Sequence, residues 1–318
     1  MYRVSLLLLA ILSSVPSVLG ADAKPTFAKA TYTYKTVEGH AIKADVYRPP
    51  DNRVRPVILF LHGGALIFGD RTKIRNAQLA RYLQEGFVVV SIDYRLAPET
   101  KLPGIIEDLR DAYSWVRTGG RELFRANPNR IAVVGHSAGG YLTLSAGYMC
   151  NPPPRALVSF YGYGDIVGAW YSQPDPFYSK EPAVSAEKAR RSVGETIVTE
   201  GGEEQRWFFY LYCRQQGLWP KMVGGWNPDT DANKFDLYCP VKNVTSKYPP
   251  TLLLHGDADT DVPFKQSELM ARELERHGVK HKLIPINGGP HGFDRNADDP
   301  QAAKAFEEVI AFLKKHLH

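Results

Sequence analysis

The chain has 318 residues, 44% hydrophobic and 23% charged, with 27 Gly and 23 Pro. That composition excludes collagen-like and intrinsically disordered chains and provides enough core for two domains, or for one large α/β domain carrying an insertion. The formal charge of +5 is spread thinly and forms no Lys/Arg block, so nucleic acid is not an implied partner.

The first twenty residues differ in kind. Arg3 supplies a positive start, Leu6 to Leu12 is unbroken and apolar, and Ser13 to Ala23 is rich in small residues. This predicts a secretory signal peptide over 1–20, a mature domain over 21–318 and a secreted protein. Cleavage after Ala23 fits as well as cleavage after Gly20; the cut after Gly20 removes Arg3 and lowers the charge to +4. An uncleaved anchor is the alternative, but the apolar run falls short of the ~20 residues a span needs, so stable membrane insertion is not expected. Secretion makes the three cysteines legible: at most one disulfide forms, and Cys213 with Cys239 is the expected pair, leaving the Cys150 thiol over. Asn243-Val244-Thr245 is the sole glycosylation sequon. Nothing in the pattern sets an oligomeric state.

Alternation around Glu38-Gly39 predicts a β-hairpin over residues 31–48. Short Val/Ile/Leu-rich runs then predict strands at Val57 to Leu61, Phe87 to Asp93, Arg130 to Gly135, Ala156 to Phe160, Thr251 to His255 and Lys280 to Ile286. Helical spacing marks Ile74 to Glu85, Pro103 to Arg117, Phe264 to His277 and Ala302 to His316. Such alternation specifies an α/β fold with a mostly parallel sheet covered on both faces. Between Phe160 and Thr251 the rhythm breaks for roughly 90 residues, far beyond an ordinary connection of ~2–6. This interval holds Trp170, Trp207, Trp219 and Trp226, and it predicts an inserted cap at about 163–248 whose aromatics mostly form its own core and partly line a pocket.

Gly135-His136-Ser137-Ala138-Gly139-Gly140 follows an apolar strand and precedes a segment that can be helical. Gly-x-Ser-x-Gly in that setting is a nucleophile elbow, with small residues flanking a serine held in a strained conformation. A serine hydroxyl needs a base, and the base needs a carboxylate to fix its tautomer. In this arrangement the chain order is serine, acid, histidine. Thr251 to His255 runs into an acidic loop with Asp257, Asp259 and Asp261, among which spacing cannot choose. His291 stands in the loop Gly288-Gly289-Pro290-His291-Gly292-Phe293 and is the expected base. Leu61-His62-Gly63-Gly64-Ala65 follows the strand Val57 to Phe60, where glycines let backbone N–H groups face a developing oxyanion together with the N–H of Ala138. His62 and His136 read as structural.

His62-Gly63-Gly64, Asp93-Tyr94-Arg95-Leu96-Ala97-Pro98-Glu99 and Gly135 to Gly140 resemble the α/β-hydrolase superfamily, in particular its hormone-sensitive-lipase-like esterases and the related feruloyl-esterase-like branch. The resemblance covers roughly residues 30–165 and 248–318, leaving the cap outside it. It implies an α/β-hydrolase fold, Asp259 as the acid, oxyanion donors at Gly64, Ala65 and Ala138, and a scaffold role for Tyr94, Arg95 and Asp108. Two departures stand out: Ala65 replaces a third glycine and narrows the approach for bulky groups, and His136 stands where that group often has Asp. The implied activity is a secreted serine hydrolase cleaving small-molecule carboxylic esters through Ser137, His291 and Asp259, with neither metal nor organic cofactor required. The acid loop is also similar to that of prolyl-oligopeptidase-like enzymes, which makes a peptidase or amidase the second reading. A non-catalytic binding protein on the same scaffold, as in the gibberellin receptor or neuroligin-like domains, is the third.

Overall fold

The computed structural model describes residues 27–318; the expected signal peptide and its cleavage points lie outside the described residues. Strands β1 (Ala28–Val37) and β2 (His40–Arg48) form the hairpin. Glu38 (φ 49°) and Gly39 (φ 81°) are both left-handed, as a two-residue turn matched to strand twist requires. Next come β3 (Arg55–Leu61), α1 (Asn76–Gln84), β4 (Val88–Ile92), α2 (Leu102–Thr118), α3 (Gly120–Phe124), β5 (Ala126–His136), α4 (Ala138–Met149) and β6 (Ala156–Phe160). The long interval holds α5 (Ala169–Ser172), α6 (Ala186–Arg191), α7 (Glu203–Gln216) and several 3-10 turns, before β7 (Thr251–Gly256), α8 (Lys265–Arg276), β8 (His281–Ile286) and α9 (Pro300–Leu317) close the chain.

The eight strands lie in the order β1-β2-β4-β3-β5-β6-β7-β8, antiparallel through β1, β2 and β4 and parallel thereafter. Strand periodicity divides the core in two. Val57, Leu59 and Leu61 of β3 face a layer built on α2, α4 and α8, whereas Ile58 and Phe60 face α1 and α9. Strands buried on both faces therefore read as unbroken apolar runs. All the parallel strands deliver their carboxyl ends to one edge, where ligands bind in open α/β sheets.

Several details differ from the sequence reading, among them the hairpin, which begins at Ala28 and not at residue 31. Strand β5 begins at Ala126 rather than Arg130, because Arg55 pairs with Ala126 before the register shifts ahead of Val57. The five-residue α3 is too short to carry helical periodicity. The expected Cys213–Cys239 bridge is not made; all three cysteines are buried free thiols. Cys213 sits on α7 near the Lys101 ammonium, whereas Cys239 takes the backbone N–H of Ile166, so the two thiols occupy separately packed surroundings. Burial raises the Cys213 thiol to about 12 and that of Cys239 to about 11. At the sequon, the Asn243 amide nitrogen donates to the carbonyls of Asp236 (2.7 Å) and Cys239 (2.9 Å), so a glycan there would displace one of these bonds.

Candidate active site

The turn between β5 and α4 puts Ser137 at φ 55° and ψ −117°, a conformation held by its surroundings. The Ser137 N–H donates to the Phe160 carbonyl at 2.9 Å. The neighbouring glycines are needed for space. A Cβ on Gly135 would lie 2.2 Å from the Gly139 carbonyl oxygen, and one on Gly139 would lie 2.1 Å from that of Leu61. Side chains at either position would drive strand and helix apart.

His291, on the loop after β8, reaches back to this turn: its Nε2 lies 3.1 Å from Ser137 Oγ and its Nδ1 2.7 Å from Asp259 Oδ2. Asp259 is thus the carboxylate, among the three candidates, that His291 Nδ1 reaches. Asp257 instead accepts the Gly288 N–H at 2.6 Å and pins the His291 loop. Asp259 Oδ1 takes the N–H groups of Asp261 (2.8 Å) and Val262 (2.9 Å), which fixes the carboxylate's orientation. Burial opposes its ionisation, yet the bonds from His255 and His291 hold it well below the usual carboxylate range. Burial likewise pulls His291 down, but the facing charge of Asp261 and the Asp259 hydrogen bond outweigh it, so its pKa is raised. A hydroxyl, an imidazole and an ionised carboxylate in line can move a proton from oxygen to nitrogen and hold the resulting imidazolium.

The loop after β3 provides the oxyanion candidates. Gly64 (φ 112°), Ala65 (φ 54°) and Leu66 (φ 64°) are all left-handed, and the N–H groups of Ile67 and Phe68 close onto the Gly64 carbonyl. Among the described residues, the amides of Gly64, Ala65 and Ala138 make no hydrogen bond, and Gly64 and Ala65 line the same cavity as Ser137. Ala138 opens α4, where the first N–H groups have no partner within the helix. The loop is braced from several sides. His62 stacks on Tyr94 with centroids 4.2 Å apart, its Nδ1–H donates to the Gly63 carbonyl, and burial lowers its pKa to about 4. Tyr94 donates to the His62 carbonyl at 2.9 Å, and Arg95 clasps buried Asp108 through its backbone N–H, Nε and Nη2. His136 packs between the Phe60, Phe160 and Tyr161 rings, and burial lowers it to about 4. Both histidines are therefore buried in the packing, and His136 also borders the cavity over Ser137.

The inserted segment completes a cavity of ≈ 430 Å³ over Ser137, to which it contributes Tyr178, Trp207 and Tyr210. Of its four tryptophans, Trp219 is wholly buried and donates from Nε1 to the Ala65 carbonyl at 3.0 Å, while Trp226 packs on Phe235 and Tyr238. Sequence reasoning missed two arginines on α7. Arg206 bonds Glu99 and the carbonyls of Ile67 and Ala97; Arg214 bonds Asp175 and Asp261. Arg206, Tyr210 and Arg214 recur every four residues, a spacing that places them on one helix face and could have flagged them.

The sheet order, the crossover helices and the elbow together define an α/β hydrolase. The chain belongs to the alpha/beta hydrolase fold family, whose sequence profile matches residues 58–295. It is similar to the non-reducing polyketide synthase Preu6 of Preussia isomera, with 30% identity over 86% of this chain and 14% of that protein. The chain thus spans about one seventh of the length of that relative. Among solved structures it resembles a Staphylococcus aureus protein of unknown function, with a TM-score of 0.76 and 24% identity over 91% of this chain and all of the other. It also resembles carboxyl esterase 2 of the fungus Tuber melanosporum, with a TM-score of 0.69 and 21% identity over 95% and 90% of the two chains. These likenesses bear out the expected fold and superfamily.

Proposed function

We propose that this chain is a serine hydrolase that cleaves carboxylic esters of small molecules. The observation that carries the reading is the hydrogen-bonded line from Ser137 Oγ through His291 to Asp259 beside three unoccupied backbone amides. Ser137 Oγ attacks the ester carbonyl while His291 Nε2 takes its proton, and the oxyanion accepts hydrogen bonds from the amides of Gly64, Ala65 and Ala138. The carbon–oxygen bond to the alcohol then breaks as His291 returns the proton to the leaving oxygen. Water attacks the acyl-Ser137 in the reverse sense, giving the acid and the free serine. Asp259 remains ionised throughout. The completeness of the line speaks against a non-catalytic binding protein, since such proteins commonly lack a member of it.

A fluorophosphonate probe should label wild-type protein at Ser137 and leave Ser137→Ala unlabelled; a folded wild type that stays unlabelled would overturn the proposal. Short-chain nitrophenyl esters set beside peptide amides decide between esterase and peptidase. Asp259→Asn should remove most turnover while Asp257→Asn does not. The leader-like residues 1–20 support export. N-terminal sequencing of protein recovered from the culture medium tests that, and a retained Met1 would refute cleavage.

A further inference from the structure

Asp261 stands outside the line of three, yet it is held with unusual thoroughness beside it. Its Oδ1 accepts hydrogen bonds from Tyr178 OH (3.0 Å), Tyr210 OH and Arg214 Nη1 (2.7 Å). The Arg214 side chain is 0% exposed, ringed by Trp170, Tyr171, Tyr178 and Tyr210 and anchored at its other end by Asp175. A buried guanidinium and two phenols are thus committed to one carboxylate oxygen. The other, Oδ2, lies 3.4 Å from His291 Nε2, the nitrogen that also faces Ser137, and Asp261 lines the cavity.

We propose that Asp261 Oδ2 selects the leaving group: the preferred substrates are esters whose alcohol carries a second hydrogen-bond donor on the carbon next to the one bearing the ester oxygen, as in monoesters of vicinal diols. The assignment rests on the esterase reading above. When the tetrahedral intermediate collapses, His291 Nε2 hands its proton to the leaving oxygen, which therefore sits within hydrogen-bond reach of that nitrogen. An acceptor 3.4 Å from the same nitrogen falls beside the leaving oxygen, within reach of a neighbouring hydroxyl or ammonium. No proton moves to Asp261; it accepts a hydrogen bond and lowers the barrier only for alcohols that can offer one. Phe68 and Trp207 line the same cavity and offer apolar surface to the rest of the alcohol.

The experiment compares kcat/KM for 2-hydroxyethyl acetate with that for 2-methoxyethyl acetate, which keeps the oxygen but has no donor. A hydrogen bond to a charged acceptor predicts a preference of roughly tenfold or more for the hydroxyl ester. In Asp261→Asn, Tyr178, Tyr210 and Arg214 retain the amide oxygen where Oδ1 was, so the NH2 group faces the cavity and the preference should vanish or invert. Protonated 2-(dimethylamino)ethyl acetate, with a single N–H, reports whether an ammonium serves as well as a hydroxyl; preference for either donor over the methoxy control supports the assignment. Phosphonate labelling of each protein confirms an intact Ser137. Wild type that labels fully but prefers neither the hydroxyl nor the ammonium ester over the methoxy control, or a preference that persists unchanged in Asp261→Asn, overturns the role of Asp261 alone. Wild type that neither labels nor turns over any ester overturns the esterase reading beneath it.

Discussion

Replacing Arg206 by Met tests how far the inserted segment supports the site. In the native protein its guanidinium bonds Glu99 Oε1 at 3.0 Å, the Ala97 carbonyl at 2.6 Å and the Ile67 carbonyl, and the two charged side chains are 4% and 0% exposed. Met fills similar volume but strands the Glu99 carboxylate with only the Gly194 N–H, 2.6 Å away. Breaking one side of a buried ion pair typically costs about 3–5 kcal/mol, most of it from the unpaired charge left behind. At about 2 °C per kcal/mol for a protein of this size, the melting temperature should fall by about 6–10 °C. The double variant Arg206→Met/Glu99→Gln removes the stranded charge and should recover part of that loss. Because Ile67 closes the turn that carries Gly64 and Ala65, kcat for a nitrophenyl ester should fall more than KM rises, by up to ~10²-fold if one oxyanion donor is misplaced. Thermal and urea unfolding with steady-state kinetics give all three numbers. A single variant that loses less than about 1 kcal/mol, or a double variant no more stable than the single, would refute the reasoning.

Raised by Asp261 and Asp259 against burial and Arg295, His291 should give a kcat/KM profile that climbs with pH through an apparent pKa above 6.5. The same shift means that charged His291 adds stability fully present below pH 6.5 and lost as pH rises through the folded value; an activity limb below 6.5 would contradict both. Gly139→Ala, whose Cβ would stand 2.1 Å from the Leu61 carbonyl oxygen, should cost about 3 kcal/mol or more and be visible as lost soluble yield. Trp219→Phe keeps the ring stacked on Tyr171 but leaves the buried Ala65 carbonyl without its donor, a loss of about 1–3 kcal/mol by urea unfolding, with kcat reduced. Thiol titration in denaturant without reductant should return three thiols per chain, and a count of one would restore the Cys213–Cys239 bridge.

The fold, and the meeting of Ser137 with His291, were legible because each rests on a local rule. Strands such as β3 and β4, covered on both faces, must be continuously apolar, and an elbow with its backbones 2.1 Å from a would-be Cβ must be built of glycine. The acid was less so: Asp257, Asp259 and Asp261 fall within five residues, spacing alone left them open, the family resemblance pointed to Asp259, and His291 Nδ1 reaches that same residue. The disulfide was misread because nearness in sequence says nothing about packing; α7 turns Cys213 toward Lys101, while Cys239 lies against Ile166. Arg206 and Arg214 were invisible for the opposite reason. A buried arginine is defined by its partners, and theirs lie 107 and 47 residues away in the chain.

Those two arginines change what the insertion is. A lid that merely shades a pocket would touch the hydrolase core at its rim, yet α7 sends Arg206 to the loop that carries Gly64 and Ala65 and Arg214 to the loop that carries Asp259 and Asp261. Trp219 adds a third tie at the Ala65 carbonyl. Both halves of the site, the amides that would receive negative charge and the carboxylates that face His291, are thus held by one helix and the turn after it. Each tie ends on a backbone carbonyl or on a carboxylate that is buried or hydrogen-bonded, so none can be broken without leaving a polar group unpaired. Shuffling this segment among related chains should therefore transfer substrate preference only when Glu99 and Asp261, which meet it through their side chains, travel with it. A chimera that exchanges α7 alone should lose turnover and stability together.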